Sequence, residues 1–111
     1  MDCNKYYFVD KAKQDLDDIL LYLSDVLLNK KAARDFYIAL VNKLNLLCSF
    51  PDIGQDVNNS GLIEKYVKKI NVKSYYLYYH YDLINQTIWV LRIIHYKRDI
   101  NSIIKKGSSR S

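Results

Sequence analysis

The residues best suited to chemistry lie near the end of the chain, where Arg92, His95, Lys97 and Arg98 fall within seven positions. An imidazole gains and loses its proton near neutral pH, so it can act as a general acid or base. Guanidinium and ammonium groups stabilise negative charge that develops on a phosphate. Residue types in this pattern predict a site for a phosphodiester or another polyanion.

A larger set joins these residues if the strands before them fold back as an antiparallel meander, because lysines and tyrosines recur along those strands. Exposed tyrosines there could stack on a splayed base. The candidate catalytic residues are His95, Arg92, Arg98 and Lys97. The candidate substrate-binding residues are Lys68, Lys69, Lys73, Tyr76, Tyr78 and Tyr96. We expect no metal ligands and no cofactor.

Purely structural roles for these residues are open alternatives. By strand alternation, His95 could face the core as a satisfied residue at its rim. The five tyrosines within 75–81 also suit sheet packing. Arg98 and Asp99 could form a local ion pair, which would contribute under about 1 kcal/mol if exposed.

The elements that must position the site lie within 65–100, which is rich in β-branched and aromatic residues and holds no Gly or Pro. The predicted elements are a strand ending near Asn71, strands at 73–82 and 86–95, and a hairpin turn at 83–85. In that register Tyr76 lies opposite Arg92, and Lys73 lies opposite His95. The strands would thus gather charges that are far apart in the chain.

The same register divides the side chains between two faces of the sheet. The face that we expect to pack on helices holds Tyr75, Leu77, Tyr79, Tyr81, Trp89, Leu91 and Ile93. The other face holds Tyr76, Tyr78, His80, Ile88, Val90, Arg92 and Ile94. This second face is apolar and rimmed by charge, which predicts an interaction surface. A shift of one residue would exchange the two faces.

Two amphipathic helices precede the meander, the first capped by Asp10 and ending near Asn29. The second begins at Lys30 or Lys31 and ends at Phe50-Pro51, because a residue before Pro is disfavoured in the α region. Their apolar stripes are Ala12, Leu16, Ile19, Leu20, Leu23 and Leu27, then Ala33, Phe36, Tyr37, Leu40, Leu44 and Leu47. The short turn between them predicts an antiparallel hairpin, and 5–9 reads as an edge strand.

Length and composition predict one domain at 1–106, with 107–111 as a flexible tail or cloning scar. The net charge of +5 is uneven, since 61–111 holds ten Lys or Arg and three Asp or Glu. This favours a polyanion or an acidic partner protein. The first residues lack the apolar core of a signal peptide, so we expect a cytoplasmic protein with no membrane contact. Cys3 and Cys48 are expected to be reduced.

The order of several short motifs resembles the RelE/ParE superfamily of bacterial type II toxins. The motifs are Ala12-x-x-Asp15-Leu16-x-x-Ile19-x-x-Tyr22, Ala32-Ala33, Phe50-Pro51 with Gly54, Tyr75-x-x-x-Tyr79, and Arg92-Ile-Ile-His95-x-x-Arg98-Asp99-Ile100. The resemblance implies an α+β fold of β-α-α-β-β-β order, with a helical hairpin on one face of a small antiparallel sheet. It also implies a cognate antitoxin that covers the working face.

Two activities occur in this superfamily: cleavage of ribosome-bound mRNA without a metal, and poisoning of DNA gyrase. Cutting members usually have an Arg after the first Tyr of the third strand, where this chain has Tyr76. Arg92, predicted to lie opposite, could supply the lost charge. His95-Tyr96 looks like the terminal His-Tyr pair of the YoeB branch, although Ile-His-x-x-Arg-Asp is also a common ParE-like ending.

Three functions follow for the whole chain. We expect first an mRNA endonuclease that arrests translation, in which His95 moves protons while Lys and Arg stabilise the transition state. The alternatives are a non-enzymatic gyrase poison and an inactive toxin fold kept as a binding module.

Overall fold

The structure is a computed structural model, which describes residues 5–57 and 67–98. Its elements are β1 (Tyr6–Phe8), α1 (Asp10–Leu21), a π-helical turn (Tyr22–Val26), α2 (Lys30–Ser49), β2 (Gln55–Asp56), β3 (Lys68–Val72), β4 (Tyr75–Asp82), β5 (Thr87–His95) and a 3₁₀ turn (Tyr96–Arg98). The strands form one sheet of order β1-β5-β4-β3-β2, in which only the edge strand β1 runs parallel to its neighbour. This confirms the predicted α+β fold and adds β2, which the sequence analysis missed. The tail predicted at 107–111 lies outside the described residues.

The helix boundaries follow local capping chemistry. Asp10 is the first helical residue of α1 and not its cap, since the N-cap position belongs to Val9. α1 gives way to the π-helical turn after Leu21, well before the predicted end. The Asn29 side chain accepts a hydrogen bond of 2.9 Å from the Ala32 backbone N–H, which starts α2 at Lys30 as predicted.

The helices bury their apolar stripes against one face of the sheet. The buried residues of this core are Ala12, Ile19, Phe36, Leu40, Leu44, Leu47, Val72, Leu77, Tyr79, Ile88, Val90 and Ile93. Three further members of the predicted stripes, Leu16, Leu20 and Leu23, pack against this core at partial burial. Ala33 is not part of it, and neither are Leu27 and Tyr37, which are 51% and 50% exposed. None of the helices in the described part of the chain is long and apolar enough to span a membrane.

The predicted strand register is wrong. The turn before β4 lies at Lys73-Ser74 and not at Asn71, and Lys73 adopts a left-handed φ of 57° there. His95 therefore pairs with Tyr75, and Arg92 pairs with Tyr78. Neither the turn nor a β-bulge can be read from an alternating pattern, because a bulge inserts one unpaired residue without changing composition.

The β-bulge between Tyr78 and Tyr79 also changes which residues face the helices. The four predicted helix-facing residues of β4 do pack on the main core, as does Ile93 of β5. Ile88 and Val90 lie in that core, whereas Leu91 lies on the outer face, so the prediction for these three was wrong.

The outer face carries a small second core and not the open apolar surface that was predicted. Tyr78, Ile94 and Val67 are buried there at 2%, 8% and 5% exposure. Val57, Tyr76 and Leu91 pack around them at partial burial. Most of the apolar area on this face is therefore already covered within the chain.

Cys48 lies near the end of α2 and packs against the main core. It is disulfide-bonded, so the prediction of a reduced thiol was wrong for this residue. The same prediction for Cys3 lies outside the described residues. Disulfide formation requires close Cβ atoms, and spacing along the chain does not reveal that distance.

Candidate functional site

His95 stands at the last position of β5, where the sheet meets the 3₁₀ turn. Its ring contacts Tyr75 edge-on at a centroid distance of 5.2 Å and stacks on Tyr96 at 4.7 Å. Tyr75 in turn packs edge-on against Phe36 of α2 at 5.1 Å, which places His95 at the helix-side rim of the core. The open alternative of a rim position is therefore the observed one, although the ring is only half-buried.

A backbone hydrogen bond selects one protonation form of this imidazole. The Lys97 backbone N–H donates to His95 Nδ1 at 3.1 Å, so Nδ1 must carry a lone pair. The proton of the neutral ring then resides on Nε2. A His95 held in this way can donate a hydrogen bond through Nε2–H, but it can receive a proton at Nδ1 only by releasing its contact with the turn.

The His95 ring opens onto a groove of about 550 Å³ between α1 and β5, here named the His95 groove. Its lining residues are Lys11, Asp15, Asp18, Ile19, Tyr22, Tyr75, Arg92, Ile93, Ile94 and His95. Burial raises the pKa of the Tyr75 phenol, and the nearby Tyr22 adds to the shift. The groove therefore presents a neutral phenol between acidic and basic side chains, and it is not a purely cationic cradle.

Arg92 is bound to an acidic residue of α1. Its Nε and Nη2 donate to the two carboxylate oxygens of Asp15 at 2.7 and 3.2 Å. The Ile93 backbone N–H also donates to Asp15 Oδ2 at 3.0 Å. The Asp15 side chain is only 11% exposed, which makes this a partly buried and bidentate ion pair. Arg92 thus does not lie opposite Tyr76 on the outer face, as the register had predicted.

Two of the predicted lysines do lie at the His95 end of the sheet. The Tyr96 backbone N–H donates to Ser74 O at 2.9 Å, which joins the 3₁₀ turn to the β3–β4 turn that contains Lys73. Lys73 and Lys97 are both exposed there. The backbone of Arg98 continues the 3₁₀ turn, while its side chain lies outside what the structure describes.

Lys68 and Lys69 point to opposite faces of β3, so they cannot serve one site together. Lys68 Nζ donates to Asp56 Oδ1 at 2.7 Å, and this hydrogen bond raises the pKa of the lysine. Lys69 lies on the outer face, where its Nζ is 4.3 Å from the centroid of the Tyr76 ring. That distance is within the range of a cation–π contact.

The predicted base-stacking tyrosines have unequal access to solvent. Tyr96 is 48% exposed and Tyr76 is half-buried, while Tyr78 is 2% exposed. A ring buried to that extent cannot stack on a nucleotide in the folded chain. Among the described residues, no group of three His, Cys, Asp or Glu could hold a metal ion.

The sequence analysis missed Asp15 and Tyr75 as parts of this site. One signal existed for Asp15, since it lies three residues after Ala12 and four before Ile19, both of which are buried. That spacing puts a carboxylate beside the buried face of α1. No sequence pattern indicated that its partner would be Arg92, which lies 77 positions away.

Comparison with known proteins gave a match to a family and similarity to solved structures. A family model described as the ParE toxin of the type II toxin-antitoxin system matches residues 6–100. The chain is also similar to a structure titled "Chromosomal ParDE TA system from P. aeruginosa", with a TM-score of 0.61 and 18% sequence identity. The alignment covers 82% of this chain and 94% of that one, which supports the fold. No curated protein sequence matches the chain.

Proposed function

The chain belongs to the ParE toxin family of type II toxin-antitoxin systems, and from that premise we propose that it stops growth by poisoning DNA gyrase. In this proposal the protein acts as a binding toxin and does not cut RNA. A toxin of such a system has a cognate antitoxin, which neutralises it until the antitoxin is removed.

The observation that carries the proposal is the Asp15–Arg92 ion pair. Metal-independent RNA cleavage needs free cations placed around the phosphate in the transition state. This chain has Tyr76 at the position where cutting members usually have Arg, and Arg92 was the residue that could compensate. Arg92 instead lies opposite Tyr78 in the sheet, and its guanidinium forms an ion pair with Asp15. Lys68 and Lys69 lie on opposite faces of β3, and this separation of charge favours binding over catalysis.

A second candidate is the ribosome-dependent mRNA endonuclease, and one group of contacts favours it. His95, Tyr96 and Lys97 form a continuous cluster at the end of β5, joined by ring stacking and a backbone hydrogen bond. Lys73 lies on the adjoining turn. In this candidate, His95 moves the proton while the two lysines and Arg98 face the phosphate.

For the antitoxin we propose an acidic segment that covers the basic side of the sheet. The described residues 67–98 contain six Lys or Arg and one Asp. Lys69 and Tyr76 on the outer face, with Lys73 at its edge, would meet such a segment. The partly buried Tyr76 and Leu91 supply apolar contact beside these charges.

The deciding experiment induces the full chain in cells without antitoxin and takes two readings from each culture. One is the yield of gyrase-linked DNA breaks, and the other is primer extension on a reporter transcript. The proposal expects breaks and uncut mRNA. Site-specific cuts without breaks would establish the endonuclease, and harmless expression of folded protein would establish an inactive toxin fold.

The variant His95→Ala sharpens the choice. A gyrase poison should keep its growth arrest once loss of folded protein is corrected for, because His95 then only packs at the rim. In an endonuclease, loss of a preorganised group should lower the cleavage rate by roughly a hundredfold or more. Ile38→Ala, at a half-exposed position on α2, controls for general loss of stability.

A further inference from the structure

The two helices leave a mostly apolar groove open to solvent along their contact, on the side that does not pack on the sheet. It encloses about 570 Å³ and is here named the interhelical groove. Its lining residues are Asp17, Leu20, Leu21, Ser24, Ala33, Arg34 and Tyr37. Leu21 is 56% exposed and Tyr37 is 50% exposed, whereas the outer face of a surface helix is ordinarily polar. A contiguous apolar surface bounded by charge indicates an interaction site.

The turn beside this groove combines a strained backbone with exposed leucine side chains, both of which are unfavourable in an isolated chain. The π-helical turn ends at Val26, and Leu28 then adopts a left-handed φ of 51° while 83% of its surface is exposed. A branched residue in that region is strained, and strain of this kind persists mainly at functional places. Leu27 next to it is 51% exposed. The fold buries little of Leu28 and only about half of Leu27, so an external contact is the reason that we infer for both.

The charges around the groove identify the kind of partner. Among the groove's lining residues before the turn, Asp17 lies farthest from the turn, whereas Arg34 lies close to the start of α2 after the turn. In a helical hairpin the two therefore stand diagonally across the groove. Within the described residues, neither side chain makes an ion pair. In a two-fold symmetric dimer the same surface of both copies forms the interface. If the axis passes through the centre of the groove, Asp17 of each copy faces Arg34 of the other.

We propose that the interhelical groove is the interface of a homodimer of this chain. Leu21 and Tyr37 form its apolar centre, and two symmetry-related Asp17–Arg34 pairs flank them. Leu27 and Leu28 extend the contact at the turn. This assembly does not depend on the choice of toxin target, because the groove lies apart from both His95 and the outer face of the sheet.

The test is reciprocal charge reversal, measured by sedimentation velocity of the full chain freed of antitoxin. Asp17→Arg and Arg34→Asp should each raise the dimer dissociation constant by about tenfold or more, since each change replaces two attractive pairs with two repulsive ones. The double variant Asp17→Arg/Arg34→Asp restores opposite charges across the axis. It should return the dissociation constant to within a few-fold of the original value.

Leu21→Ser tests the apolar centre, with Ile38→Ser as the matched control. Ile38 is 49% exposed on α2 but does not line the groove. Circular dichroism confirms that each variant is folded. Leu21→Ser should yield monomers and Ile38→Ser should remain dimeric. A chain that is monomeric throughout, single reversals without effect, or a double variant that stays dissociated would each overturn the proposal, and so would reversals that change only antitoxin binding.

Discussion

At the scale of single residues, Asp15 binds the backbone and a side chain near the end of β5. β1 pairs with β5 only along Ile88–Val90, so within 5–57 and 67–98 no strand pairs with the backbone of β5 beyond Val90 on that side. The Asp15 carboxylate takes the place of a neighbouring strand here. It accepts a hydrogen bond from the Ile93 backbone N–H and another from the Arg92 guanidinium. If this partly buried N–H had no acceptor, the loss of folding free energy would exceed the net stabilisation that one hydrogen bond gives.

The first prediction concerns this carboxylate. Asp15→Asn should lower the free energy of unfolding by about 2–3 kcal/mol, because it removes charge-assisted hydrogen bonds and leaves Arg92 without a counter-charge. Urea denaturation of the antitoxin-free chain measures the change. The matched control is Asp18→Asn, an exposed position of α1 that should shift stability by under about 0.5 kcal/mol. Equal losses in the two variants would show that the ion pair contributes nothing special.

A second prediction at this scale is the response to alkaline pH. Burial raises the pKa of the Tyr79 phenol above the value of 10.0 expected in an unfolded chain. As pH rises past that value, unfolded chains lose this proton before folded ones do, so stability must fall. Tyr79→Phe should flatten the decline between about pH 9 and pH 11. An equally steep decline in Tyr79→Phe would remove this phenol as its cause.

At the scale of elements, the segment after α2 is fastened to the sheet by the same tyrosine. Tyr79 Oη donates to Pro51 O at 2.8 Å and accepts from the Gly54 backbone N–H at 3.0 Å. The approach is close enough that a Cβ on residue 54 would lie 2.5 Å from Tyr79 Oη and 2.9 Å from Lys69 O. Glycine at this position therefore lets the chain turn against the sheet before β2.

The third prediction uses this close approach. Gly54→Ala should destabilise the fold by roughly 1–3 kcal/mol, the usual cost of overpacking. The cost should be smaller in a Tyr79→Phe background, because one of the crowding atoms is then missing. A double-mutant cycle from urea denaturation gives the coupling directly. Identical costs in both backgrounds would mean that the hydroxyl does not confine the segment.

At the scale of the whole molecule, charge is divided between the two layers. The described stretch 5–57, which holds the helices, carries seven Lys or Arg and eight Asp, while 67–98 carries six Lys or Arg and one Asp. The helix layer is thus near neutrality and the sheet layer is strongly basic. A field of this kind speeds the approach of an acidic partner more than it strengthens the final complex.

The fourth prediction follows for the proposed antitoxin. Its association rate should fall by about tenfold or more as salt is raised well above physiological strength, since screening shortens the reach of the basic layer. Lys69→Glu should lower the rate at low salt, whereas Lys13→Glu on α1 should change it little. Stopped-flow mixing of the two proteins measures both. A rate independent of salt would exclude steering by the sheet.

The sequence by itself determined the architecture of this protein. Apolar spacing placed both helices, the short turn before Lys30 and the Phe50-Pro51 pair marked the limits of α2, and aromatic alternation placed β4 on the correct face. These features follow from local physics, because helical and strand periods and capping groups act within a few residues of each other. The family resemblance noted on the motifs agrees with the family match to residues 6–100.

Only the tertiary structure decided how the candidate site is arranged. A one-residue bulge after Tyr78 reset the faces of β5, and a left-handed Lys73 shifted its register. The fold also brought Arg92 to Asp15, whose carboxylate accepts two hydrogen bonds from the guanidinium. Such outcomes depend on distances between residues up to 77 positions apart, and a pattern with a period of two or 3.6 residues carries no information about them.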